Sequence, residues 1–190
     1  MRCLSCEKLS FSIICKNCQE NYLDIRIKKR ELEKDFFVIS FFEYDSIKEL
    51  LNAKYHHFGD KVLKILAKRS FEQFGKNFQY DTKLLAIGIE NRSLKEFSHT
   101  AILIKALQSA YITPYYRKLQ AQNLVQYAGK NLEFRKKNPR NFKYLGVKNQ
   151  EILLVDDIVT TGSTLLEAKK CLEKHQCTTH FALALSDVKF

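Results

Sequence analysis

Tryptophan is absent from the 190 residues, proline occurs twice and glycine six times. Breakers this sparse leave no proline- or glycine-rich linker and no low-complexity tract, and no internal repeat is visible. No apolar run reaches the roughly 18 residues of a membrane-spanning helix, which predicts a chain without a transmembrane segment. The opening Met1-Arg2-Cys3-Leu4-Ser5-Cys6 lacks the apolar stretch of a secretory signal. A soluble, cytoplasmic protein is the expectation. The phosphate-binding pattern GxxxxGK[ST] is missing too, which excludes a nucleotide P-loop.

What is present suits one principal domain with a small appendage. Hydrophobic residues make up 45% of the chain, and 14 Phe with 9 Tyr can fill an ordinary packed core. The formal net charge is +11, a balance that favours an anionic partner, nucleic acid foremost. The alternative is a generally basic proteome.

The charge is localised. Residues 111–148 hold nine basic side chains against the single acid Glu133. They are Arg117, Lys118, Lys130, Arg135, Lys136, Lys137, Arg140, Lys143 and Lys148, interleaved with Tyr115, Tyr116, Tyr127, Phe134, Phe142 and Tyr144. Cations that follow phosphates beside rings that stack on bases suit single-stranded DNA. All of these cations but Lys148 are the candidate DNA-binding residues. The competing reading makes the rings core residues and the lysines a solvated face.

Four of the six cysteines fall in the first 18 residues, as Cys3-x2-Cys6-x8-Cys15-x2-Cys18. Each CxxC knuckle aims two thiolates at one point, and two knuckles complete the tetrahedron zinc prefers. Two disulfides or free thiols are the alternatives, the former disfavoured in a reducing compartment. A closed four-cysteine zinc site folds a segment too small to fold alone and leaves no position open for chemistry. Cys171 and Cys177 fit no such spacing and read as small buried hydrophobes.

Residues 1–22 are thus a zinc-binding module, 23–35 a charged, helix-compatible connector, and 36–190 the main domain. Phe36–Phe42 and Leu84–Ile89 read as strands, Tyr111–Tyr116 as a further one. Asp45–Phe74 and Phe97–Leu107 follow helical spacing, with Asp45 a candidate cap and Phe58-Gly59 a break. Arg117–Asn149 shows no sustained period and suits a lid or binding loop. Glu151–Val155, Ser163–His175 and Thr179–Leu185 complete a strand, a helix and a last strand. Such alternation predicts an α/β fold with a mostly parallel sheet flanked by helices.

The chemistry concentrates in ILLVDDIVTTGST, residues 152–164. Ile152-Leu153-Leu154-Val155 has the unbroken apolarity of a central parallel strand, ending at Asp156-Asp157. Carboxylates at that end of a strand can accept bonds from two ribose hydroxyls and hold magnesium, directly or through its waters. Thr160, Thr161, Gly162, Ser163 and Thr164 then curl into a helix start, presenting amides and hydroxyls to a phosphate. An ordinary helix cap after two acidic turn residues is the bland alternative.

This run resembles the phosphoribosyl-pyrophosphate (PRPP) signature of the type I phosphoribosyltransferases. The resemblance implies their fold, with a variable hood over the site. It implies that Asp156 and Asp157 contact the ribose, that Thr160–Thr164 enclose the 5-phosphate, and that Ile87 and Gly88 lie in the strand-end loop that helps hold pyrophosphate. A four-cysteine knuckle before such a domain is similar to the ComF-type competence proteins, their short ComFC members in particular. Tyr44–Tyr55 and Phe181–Leu185 match that family's stretches, so the likeness spans nearly the whole chain. Two departures stand out. Ala86-Ile87-Gly88-Ile89 replaces a Pro-Val-Pro strand end, and Lys95-Glu96-Phe97-Ser98-His99 replaces an Arg-Gly-Phe-Asn-Gln box. The family implies handling of incoming single-stranded DNA in natural transformation, with PRPP and magnesium bound. Two alternatives stay open: a working phosphoribosyltransferase acting on a base or amine, and a PRPP-sensing adaptor for another competence protein. None of the five histidines (His56, His57, His99, His175 and His180) stands in a catalytic setting in the sequence.

Overall fold

The computed structural model describes residues 1–53, 56–90, 98–123 and 132–189, without the side chains at 132, 135 and 136. Fifteen elements are described: α1 (Lys16–Tyr22), β1 (Lys28–Glu33), β2 (Phe36–Glu43), α2 (Tyr44–Asn52), α3 (Gly59–Arg69), α4 (Phe71–Asn77), β3 (Leu84–Gly88), α5 (His99–Ala106), β4 (Ile112–Pro114), β5 (Leu119–Ala121), α6 (Leu132–Lys137), β6 (Phe142–Tyr144), β7 (Glu151–Val159), α7 (Ser163–Glu173) and β8 (Thr178–Asp187). Six strands form the main sheet in the order β1-β2-β8-β7-β3-β4. Every pairing in it is parallel except β1 with β2. The expected α/β architecture, a mostly parallel sheet flanked by helices, is what the chain adopts.

β7 explains why the sheet is buried on both faces. Its alternating side chains feed two separate cores. Leu153 and Val155 join Leu63, Leu66, Phe71 and Leu103 beneath the α3–α5 layer. Ile152 and Leu154 join Leu165, Ala168 and Leu172 beneath α7. The period-two geometry of a strand divides an unbroken apolar run this way. Leu165, Ala168 and Leu172 lie three and four residues apart, one stripe of the helix. Each of its buried leucines contributes about 2 kcal/mol.

Three elements depart from the sequence reading. Residues 28–33 form a strand, although Lys-Lys-Arg-Glu-Leu-Glu is helix-compatible by composition. Glu33 pairs with Phe36, so Lys34 and Asp35 close a two-residue hairpin, with Asp35 at φ 62°. The gain from adding an edge to β2 overrides local propensity, and charged side chains suit an edge. β7 does not stop at the paired aspartates. Asp156 stays in register with Ala184, Ile158 with Ser186 and Val159 with Asp187. Glu43, not Asp45, stands at the cap of α2, and Asp45 lies in its first turn. The aperiodic 117–149 region contains the small antiparallel pair β5–β6 and the short α6.

Candidate functional site

After β3 the chain passes through α5 to β4 on one side, whereas after β7 it passes through α7 to β8 on the other. The carboxyl ends of β3 and β7, hydrogen-bonded neighbours with Gly88 opposite Val155, therefore flank a topological switch point. Open α/β sheets bind ligands in the crevice at such a point.

Asp156 and Asp157 stand on the β7 side, both half-buried. The Asp157 N–H donates to Asp156 Oδ1 at 2.9 Å, and the Ile158 N–H to Asp157 Oδ1 at 2.8 Å. Each carboxylate is thus braced by the next backbone amide. The donors, hard carboxylates on consecutive residues of β7, are of the kind magnesium takes.

The chain then turns sharply. Gly162 adopts φ +81° and caps α7, and its carbonyl accepts the Leu166 N–H at 3.0 Å, the first bond of the helix. A Cβ here would lie 2.6 Å from Leu32 Cδ2, so both conformation and space favour glycine. Thr161 Oγ1 and Ser163 Oγ lie 2.9 Å apart, and the Ser163 N–H reaches Thr161 Oγ1 at 3.3 Å. No acid occupies the first turn of α7, so nothing there offsets the positive end of its dipole. Hydroxyls, amides and a helix start together suit a phosphate dianion.

Opposite lies the end of β3. Ile87 is fully buried, its side chain spent on the core beneath α7. Gly88 faces Thr100, whose Oγ1 would be 2.5 Å from an added Cβ. Two residues on is Glu90, which sequence reasoning did not single out. It accepts the Ser98 hydroxyl at 3.1 Å, and its carbonyl accepts the Ala121 N–H at 3.3 Å. Burial pushes the Glu90 carboxyl above its ordinary value, against the smaller lowering effects of the Ser98 bond and of Arg117. A bridge from Glu90 to Gln120 ties β5 to the crevice, so the β5–β6 pair stands beside it as a hood. β6 rests on α7, where Glu167 accepts the N–H groups of Arg140 (3.0 Å) and Asn141 (2.7 Å).

The proposed DNA-binding residues divide. Arg117, Lys137 and Lys143 are exposed, while Lys118 stands 5.1 Å over the Tyr115 ring and Arg140 is half-buried. Lys130 and the side chains of Arg135 and Lys136 lie outside the described residues, as do Tyr127 and the Lys95–Phe97 part of the departed box. Of the rings, Tyr116 is 42% exposed, but Tyr144 is only 5% exposed. Its hydroxyl donates to the Val147 carbonyl at 2.9 Å and its ring meets His175 edge-on. Tyr144 is a core residue of the hood. The histidines do other work: His56 stacks on Phe58, and His180 links Tyr80 with Glu151 near the amino ends of β7 and β8.

At the other end of the chain, the Sγ atoms of Cys3, Cys6, Cys15 and Cys18 all lie within 4.8 Å of one another. Cys6 and Cys15 Sγ are 3.8 Å apart, far beyond a disulfide. That separation is the edge of a tetrahedron with zinc–sulfur bonds of about 2.3 Å. Cys15 also caps α1 by accepting the Cys18 N–H at 3.4 Å, so helix and knuckle form together. Burial raises the Cys3 thiol, but amide donors including Cys15 and Ser5 outweigh it and bring the pKa down to about 6. Burial pushes Cys18 up to about 12, and the neighbouring thiols add to the rise. One group prepared for ionisation among four crowded thiols is a set that a bound cation would satisfy. Four close cysteines of this geometry can hold a metal ion, and the donor set fits zinc. Ile13, Ile14 and Leu23 carry the knuckle into the same core as Phe41, Phe42 and Ile47.

A mostly parallel sheet with consecutive acids and a helix start beside its switch point defines an α/β protein with a candidate ligand crevice there. The chain belongs to the phosphoribosyl transferase domain family, which matches residues 65–187, well over half its length. No curated protein matches the chain. Among solved structures it is similar to a hypoxanthine phosphoribosyltransferase from Staphylococcus aureus, at 17% identity over 67% of this chain and 64% of that one, with a TM-score of 0.41. It thus spans just under two thirds of that protein. UMP synthase from Leishmania donovani is similar at 12% identity over 90% of this chain and 31% of that one (TM-score 0.44). HGPRT-ase from Leishmania tarentolae in complex with GMP is similar at 16% identity over 67% of each chain (TM-score 0.39).

Proposed function

We propose that the crevice binds PRPP with its magnesium ion, and that the protein uses this site while handling single-stranded DNA in natural transformation. The observation that carries the first half is the Gly162 turn. It places the Thr161 and Ser163 hydroxyls at the start of α7, directly after two carboxylates at the switch point. In this reading Thr160–Thr164 hold the 5-phosphate, Asp156 and Asp157 take the ribose hydroxyls and the metal, and the backbone of Ile87 and Gly88 meets the pyrophosphate. Magnesium supplies charge neutralisation of the pyrophosphate. The DNA half is supported by the exposed cations Arg117, Lys137 and Lys143 around the hood, with Tyr116 available to stack. The metal at the cysteine knuckle is structural and is zinc.

Calorimetry with PRPP-Mg tests the site, and anisotropy with labelled single-stranded oligonucleotide tests the DNA. Because the hood borders the crevice, DNA affinity should change when PRPP-Mg is present, and reciprocally. Equal DNA affinity with and without PRPP-Mg would remove the coupling.

A transfer reaction is the second reading, and Glu90 is what favours it. A half-buried carboxyl of raised pKa at the crevice can accept the proton of an attacking amine or ring nitrogen. Pyrophosphate release over a panel of base and amine acceptors decides between turnover and binding alone.

A further inference from the structure

Behind the phosphate loop lies β1, the edge strand whose composition reads as a connector. Three successive contacts run from it into the loop and its helix. The Arg30 guanidinium donates through Nε to Asp187 Oδ2 at 2.6 Å and through Nη2 to the Thr160 carbonyl at 3.0 Å. Leu32, at the irregularity in the β1–β2 pairing, packs where Gly162 would carry a Cβ. Glu33 accepts Lys169 of α7 at 2.6 Å.

The arginine contact determines a direction. A trans peptide is planar, with its carbonyl and its N–H pointing opposite ways. Drawing the Thr160 carbonyl back toward Arg30 turns the Thr161 N–H away from β1, toward the concave side of the loop. The anchor itself is stiff. Asp187 is fully buried, the Arg30 side chain is 16% exposed, and Asp187 Oδ1 is occupied by the Lys189 N–H at 3.0 Å. A guanidinium forks between two acceptors in a way a lysine ammonium does not.

We propose that Arg30 is a positioning residue for the phosphate loop: anchored on Asp187, it orients the Thr160–Thr161 peptide so that its amide receives a phosphate monoester dianion. This rests on the PRPP reading of the same loop. Arg30 touches no ligand in this account; it acts through the peptide it holds.

The test uses the full chain with three probes: PRPP-Mg, ribose 5-phosphate, and inorganic pyrophosphate with magnesium. R30M alone would strand a buried carboxylate, so the informative variant is R30M/D187N, which removes both charges together. Its affinity for PRPP-Mg and ribose 5-phosphate should fall about tenfold, with pyrophosphate affinity and Tm unchanged. The 31P resonance of the bound 5-phosphate should shift while the diphosphate resonances hold. Should the double variant not fold, R30K keeps the charge opposite Asp187, and the same selective loss is expected. A folded variant with wild-type affinity for ribose 5-phosphate, or equal losses for both phosphate probes, overturns the positioning role. If the wild-type protein itself binds no PRPP-Mg, the site reading fails and the inference falls with it, an outcome distinguishable from the first two.

Discussion

Leu32 of β1 lies 2.6 Å from the position a Cβ would take on Gly162, three residues after the end of β7. A strand distant in sequence thus crowds the turn before α7, where the positive φ already favours glycine. Gly162→Ala must adopt φ +81° with a Cβ against that leucine. A loss of about 1–2 kcal/mol is expected, read from urea unfolding. PRPP-Mg affinity should fall further than stability alone accounts for, because the loop shape is what binds.

Asp156→Asn and Asp157→Asn should leave unfolding unchanged, since both side chains are only half-buried and an asparagine oxygen can accept the same neighbouring amides. Together they should weaken PRPP-Mg binding by at least about tenfold, the loss of charge-assisted bonds to hydroxyls and metal. Calorimetry at saturating magnesium measures it. A double variant that binds as tightly as wild type would show that the ligand lies elsewhere.

Cys18 has no exposed surface, and its sulfur sits in the four-thiol cluster. Cys18→Ser should release the metal and lower Tm, because metal affinity at a structural site is folding free energy. Metal analysis of the purified variant, beside a thermal melt with and without chelator, tests both halves. Cys171→Ser, outside the cluster, should retain the wild-type metal content.

Glu90 yields a pH dependence of definite sign. Burial raises its folded pKa above the ordinary 4.5, so the folded state holds this proton more tightly than the unfolded chain does. Below the unfolded value Glu90 imposes no penalty. As pH rises through the folded pKa the penalty appears and then stays constant. Glu90→Gln should stabilise the protein at neutral pH and make no difference below about pH 4. Paired urea titrations at the two pH values measure it, and a gain of equal size at both would contradict the buried-carboxyl account.

Arg117, Lys137 and Lys143 are exposed cations of the basic region. Replacing all three with glutamine should weaken single-stranded DNA binding and flatten its salt dependence. The logarithmic slope should drop by about 0.7 per lost phosphate contact. Anisotropy titrations at several salt concentrations give the slope; an unaltered one places the DNA elsewhere on the surface.

Features of the fold and candidate site that depend on neighbours in sequence were legible from residues alone. The apolar run of β7, the acids after it, the glycine turn and the start of α7 are contiguous, so one stretch of chain encodes strand, site and helix cap. The CxxC knuckles are equally local. Tertiary structure decided what non-local pairing controls. Lys28–Glu33 is composed of helix formers and becomes a strand because β2 offers an open edge. β7 runs past its aspartates because β8 continues beside it to Asp187. Tyr144, one of the rings that composition offered to DNA, is buried by its place in the β5–β6 pair. Glu90 joins the crevice only because β3 lies beside β7. Arg30 and Thr160 are 130 residues apart, and no periodicity or motif links them. Local chemistry chose the groups that can meet a phosphate; the order of strands in the sheet brought up the residues that hold those groups in place.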